Sequence, residues 1–154
     1  MNWDAIGAFG EVLGAIAVFV SLIYLAVQTR NNTKALRSSA FHQVRESFSQ
    51  VSLAITVDPE LAVLADRAAK NDQSLSENEI VRYNFLLTTL VRRGESAYFQ
   101  SSEGNLQMET WLGIKETLLS GLSNSYGIAW LEGSSGRFTK EYIEELSEAV
   151  NERT

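Results

Sequence analysis

Few residues in this chain are of types and spacings that do chemistry. The single histidine, His42, has Glu46 one helical turn away, and no His-x-x-x-His or Glu-x-x-His pair exists. The ligand sets of zinc hydrolases and di-iron carboxylate proteins are therefore lacking, and His42 reads as a solvated or interface residue. There is no cysteine, so neither thiolate chemistry nor a disulfide is available. A phosphate loop needs Gly-x-x-x-x-Gly-Lys followed by Ser or Thr, and none is present. Ser134 stands in Gly133-Ser134-Ser135-Gly136 without a histidine to serve it as base. No catalytic residue, metal site or cofactor is expected, and the chain reads as a non-enzyme.

The one group with an unusual setting is Glu11. It is the only charge in the 23 residues from Ala5 to Val27, AIGAFGEVLGAIAVFVSLIYLAV. About 20 apolar residues in a helix span the hydrocarbon core of a bilayer. A cleaved leader would need a basic start, and Met1-Asn2-Trp3-Asp4 has no Lys or Arg, so the segment is expected to persist as an anchor. A carboxylate within a span marks by default a pore ring, a proton relay or the partner of a cation. Against that, Glu11 sits only ~10 Å along the helix from Asp4, and its side chain leans toward the N-terminus, within reach of the outer headgroups.

Gly7, Gly10, Gly14, Ala17 and Ser21 recur at alternating steps of three and four. Small residues at such spacing let two helix backbones approach in lipid, so this seam is the expected interface of a homo-oligomer. Trp3 and Tyr24 are placed to mark the two headgroup boundaries, ~31 Å apart at 1.5 Å per residue. Arg30, Lys34 and Arg37, with Arg45 beyond them, follow without an acid between. These bases are expected to touch membrane lipids and, by the positive-inside rule, to hold the C-terminal side in the cytoplasm with the N-terminus outside.

Charge elsewhere is of the opposite sign. Residues 46–154 hold nine bases against 17 acids within a formal net charge of −6. An acidic body of this kind repels nucleic acid, and no nucleic-acid partner is expected. Two regions follow: a transmembrane anchor over 1–29 and a cytoplasmic helical domain over 30–154.

Periodicity makes the fold all-α: one N-terminal transmembrane helix continuing into a cytoplasmic bundle of about four further helices. Phe41, Val44, Phe48, Val51 and Ile55 form one buried stripe on the continuation of the first helix. Asp58-Pro59 is an N-cap followed by a first-turn proline. Ser76 and Glu79 form a capping box that opens a long helix carrying Tyr83, Leu87, Val91, Gly94 and Tyr98. Leu106–Leu122 is the next helix, with Trp111 and Leu118 inward. The Gly/Ser-rich stretch 123–136 reads as a loop with Trp130 as an aromatic plug, and the last helix runs from about Phe138 to Asn151.

Trp3, Ile6, Gly7, Glu11, Gly14-Ala15, Ser21-Leu22, Tyr24-Leu25-Ala26, Gln28, Arg30, Asn32 and Thr33 resemble the opening of an uncharacterised family of small bacterial single-pass inner-membrane proteins. In that group an N-terminal Trp precedes a glycine-rich span with one Glu and a Tyr-Leu-Ala-x-Gln-x-Arg-x-Asn exit. The resemblance implies a bacterial inner-membrane location and supplies no activity. The expected role is a membrane-held scaffold or interaction module, with an unidentified protein partner. The rival is a homo-oligomeric cation channel with Glu11 on its axis. A membrane-tethered enzyme is the least supported alternative.

Overall fold

The computed structural model describes residues 3–153, apart from the side chains of Ala5, Ile6 and Ser135. Met1, Asn2 and Thr154, at the ends of the expected anchor and domain, lie outside it. All the regular structure described is helical. α1 runs Trp3–Val57, α2 Pro59–Ala69, α3 Glu77–Ser102, α4 Met108–Leu122, α5 Ser125–Glu132 and α6 Lys140–Asn151, with a 3₁₀ turn at Ser135–Arg137. The chain divides into two compact units, Met1–Ser39 and Ala40–Thr154.

The described residues of the first unit, 3–39, are helical throughout, unbroken at Asn31-Asn32. Its large apolar side chains are exposed on every side, Phe9, Ile16, Phe19, Leu22 and Leu25 each by more than half. It belongs to the one described helix long and apolar enough to cross a membrane.

The second unit builds a core from the remaining part of α1 and all of α2–α6. Of the expected α1 stripe, Val44 and Val51 are buried, with Ala40 beside them, while Phe41, Phe48 and Ile55 are half-buried. α2 starts where the sequence demands: Asp58 accepts from the backbone N–H of Leu61 at 3.0 Å, and Pro59 needs no partner for its nitrogen. The capping box is formed in full, Glu79 accepting from the Ser76 N–H at 2.8 Å while Ser76 caps the Glu79 N–H. α3 then buries Tyr83, Leu87, Val91 and Ala97 against α4 and α5. Each large apolar side chain so buried contributes about 1.5–3 kcal/mol.

The stretch 123–136 corrects the expected loop. Ser125–Glu132 is a helix, so α1 is followed by five α-helices and not four. Asn124 is its N-cap, accepting from the Gly127 N–H at 2.9 Å. Gly127 serves close packing: a Cβ there would overlap the backbone of Leu122. Trp130 is buried as a plug, its Nε1–H donating to Thr88 Oγ1 at 3.2 Å and its ring 5.7 Å from that of Phe138. The last helix begins two residues later than expected, at Lys140, where Glu95 of α3 accepts from the backbone N–H and hydroxyl of Thr139 at 2.7 and 2.9 Å.

Candidate functional site

Three places in the structure carry the functional argument. The first is the helix of the first unit, where Gly7, Gly10, Gly14, Ala17 and Ser21 are all exposed. A Cβ at any of the three glycines would meet open space. Ser21 donates its hydroxyl to the Ala17 carbonyl at 2.8 Å, so its polar atom is satisfied within the helix and is compatible with lipid. Glu11 is exposed and has no ion pair among the described residues. Trp3 and Tyr24 are exposed by 71% and 67%, as rings at a boundary between phases would be. Arg30, Lys34 and Arg37 are likewise exposed and unpaired among the described residues.

The second place is an open groove of about 1000 Å³ in the second unit, between residues 41–55 of α1, α3 and α4. Its floor is apolar, set by Phe48, Val51, Leu86, Leu87 and Ile114. His42, Arg45 and Glu46 stand along its α1 side. Arg45 lies 5.5 Å from the centroid of the Phe41 ring, and the His42 ring meets Phe41 edge-on at 5.9 Å. Tyr83 also lines it, donating to the Gly121 carbonyl and accepting from Asn124 Nδ2, each at 3.0 Å. Burial pushes its phenol above the ordinary value, so the hydroxyl is protonated and structural at neutral pH. Such a groove binds by apolar contact with polar control at its edge.

The third place is a smaller cleft of about 330 Å³ where α1 packs on α3. Arg92 and Arg93 line it with Gln43, Ser47, Thr88 and Ser96. No acidic residue lines it, although the chain as a whole is acidic. Several carboxylates of this unit are committed to other arginines. Asp72 and Glu79 hold Arg67, and Asp58 and Glu60 hold Arg82. The Asp72 carboxyl is held far below the usual range, first by the Ser74 hydroxyl and then by Arg67. Glu79 is lowered by the Ser76 N–H and hydroxyl, and Asp58 by the Leu61 N–H.

Among the described residues no group of three or more His, Cys, Asp or Glu side chains gathers as a metal would require. Comparison with protein-family models, with curated proteins and with solved structures yields no match to this chain. The groove and the Arg92–Arg93 cleft were not apparent from sequence. Each is assembled from helices distant along the chain, and the adjacent Arg92 and Arg93 by themselves do not mark a cleft.

Proposed function

We propose that this is a single-pass protein of the bacterial inner membrane, with its N-terminus outside. It self-associates through its span and holds residues 30–154 in the cytoplasm as a scaffold or interaction module. One observation carries the reading. The helix of the first unit exposes large apolar side chains all round, with none of its most apolar window buried by the rest of the chain. At ~25 cal/mol per Å² such a surface is strongly unfavourable in water, and a bilayer removes the cost. The acid-free run Arg30, Lys34 and Arg37 supports the orientation. The seam from Gly7 to Ser21 supports homo-oligomerisation, being small, exposed and satisfied in its hydrogen bonds. The open groove supports an interaction role for the domain.

The test is membrane fractionation combined with cross-linking. The protein should stay with membranes through an alkaline carbonate wash. Gly10→Leu and Gly14→Leu should lose the cross-linked oligomer while Ile16→Leu, off the seam, keeps it. Release by carbonate would remove the span, and the same oligomer in all variants would remove the seam. A second reading, a cation-conducting oligomer, is favoured by the Glu11 carboxylate within the apolar helix, which has no ion pair among the described residues. In liposomes it requires a cation flux that Glu11→Gln abolishes.

A further inference from the structure

Arg92 and Arg93 are adjacent on α3, and both face the cleft shared with residues 43–47 of α1. Neither has a carboxylate partner among the described residues. Nη1 of Arg93 is buried and lacks any acceptor there. A buried N–H of a charged group left without an acceptor is among the most expensive arrangements in a folded chain. The nearest carboxylate in sequence, Glu95, pairs with neither arginine and instead accepts from Thr139 through Oε1. Arg92 is held with its guanidinium 5.3 Å from the centroid of the Phe138 ring, which fixes its position without neutralising it. The hydroxyls of Ser47 and Thr88 donate back to the Val44 and Asn84 carbonyls. Charged donor capacity at the cleft therefore comes from the two guanidinium groups, with the Gln43 amide and the Ser96 hydroxyl as neutral donors beside them.

From this geometry we infer that the Arg92–Arg93 cleft is a binding site for a phosphate-class oxyanion. Two adjacent cations with no acid between them match a ligand of about two negative charges. Tetrahedral phosphate oxygens give each guanidinium the paired acceptors its planar fork prefers. A single carboxylate would leave one cation unmatched. The volume, about 330 Å³, admits a phosphate with a small attached group and lies at the low end of small-molecule sites. In a chain of net charge −6 the cleft is a local exception, which makes selection for the anion a property of these two residues. The phosphate is either free in solution or carried by a lipid headgroup.

The test uses the full chain in zwitterionic detergent. Radiolabelled inorganic phosphate is dialysed to equilibrium against it, with ionic strength held constant by chloride. Saturable binding is expected, weakened about tenfold or more by Arg92→Gln and by Arg93→Gln, as loss of a charged hydrogen-bond donor implies. Arg137→Gln, outside the cleft, should bind as the wild type does. A second measurement needs no variant: phenylglyoxal modification mapped by peptide mass should be slowed by phosphate at Arg92 and Arg93 and not at Arg137. If free phosphate does neither, the wild type is moved to phosphatidylcholine nanodiscs with and without phosphatidic acid. Protection of the same two arginines by phosphatidic acid then assigns the ligand as a headgroup. Binding that survives both Gln substitutions overturns the inference, as does the absence of protection by phosphate and phosphatidic acid alike.

Discussion

Replacing Gly94 by alanine adds one methyl group where α3, α4 and α6 meet. A Cβ there would overlap Leu118 Cδ1 and the Tyr142 hydroxyl. That hydroxyl donates to the Val91 carbonyl at 2.7 Å, and Tyr142 is fully buried. Overpacking costs about 2 kcal/mol, and a buried hydroxyl displaced from its acceptor about 2 more. The better helix propensity of alanine returns roughly 1 kcal/mol. The net is a destabilisation of ~3 kcal/mol, on the order of 10 °C in Tm for a domain of this size. Tyr142→Phe alone should cost ~1 kcal/mol by loss of the bond. In the double variant the oxygen is gone and only Leu118 must yield, so the combined cost should be ~1–2 kcal/mol and not the sum of the singles. Urea unfolding in detergent, followed by tryptophan fluorescence, measures all three. A neutral Gly94→Ala, or strict additivity with Tyr142→Phe, would refute this account of the packing.

Three further outcomes are expected. A reporter active only in the periplasm should work when fused at the N-terminus and fail at the C-terminus; the opposite pattern reverses the orientation read from Arg30, Lys34 and Arg37. Asp72, Glu79 and Asp58 have folded pKa values below their unfolded ones, so their stabilisation is complete above the ordinary carboxylate range and is lost as pH falls through the folded values. The stability difference between wild type and Arg67→Gln, followed by circular dichroism, should therefore shrink as the pH is taken below about 4, and a constant difference would show that Arg67 acts through packing alone. Gly127→Ala should destabilise by roughly 3 kcal/mol, because backbone atoms of Leu122 cannot turn aside as a side chain can, with a lower Tm and an altered near-ultraviolet signal from Trp130 as the readout.

Much of the helical architecture was legible because its signals are local. Asp58-Pro59 and the Ser76–Glu79 pair announce helix starts through bonds made within four residues, and both are formed. The apolar spacing of Tyr83, Leu87 and Val91 likewise identified the buried face of α3. The Gly- and Ser-rich composition of 123–136 points to a loop, yet α5 forms there. Gly127 answers to the close approach of the Leu122 backbone at the bend between α4 and α5, a packing need that composition does not distinguish from a loop. Ala40 and Ala97 are buried for the same kind of reason, being small where helices come near. The glycine seam and Glu11 could be singled out from the span, since one charge among apolar residues needs no fold to be noticed. The Arg92–Arg93 cleft could not, because consecutive arginines on a helix look like a solvated face until α1 is laid across them.

The turn between α2 and α3 is anchored from far along the chain. Ser125 donates its backbone N–H to Asn71 Oδ1, and the Tyr126 hydroxyl donates to the Asp72 carbonyl, both at 2.7 Å and 54 residues apart. Tyr142 reaches back 51 residues to Val91. On a ribosome these partners emerge late. At ~5–20 residues per second, roughly 3–11 s of synthesis separate the turn from the residues that fix it. Throughout that interval the apolar faces of α2 and α3 lack their covers, and the domain can close only after residues 140–151 are released. A nascent chain of this protein thus passes through a period in which its core helices are made and unsheltered, and factors that shield apolar segments during translation would act on it there.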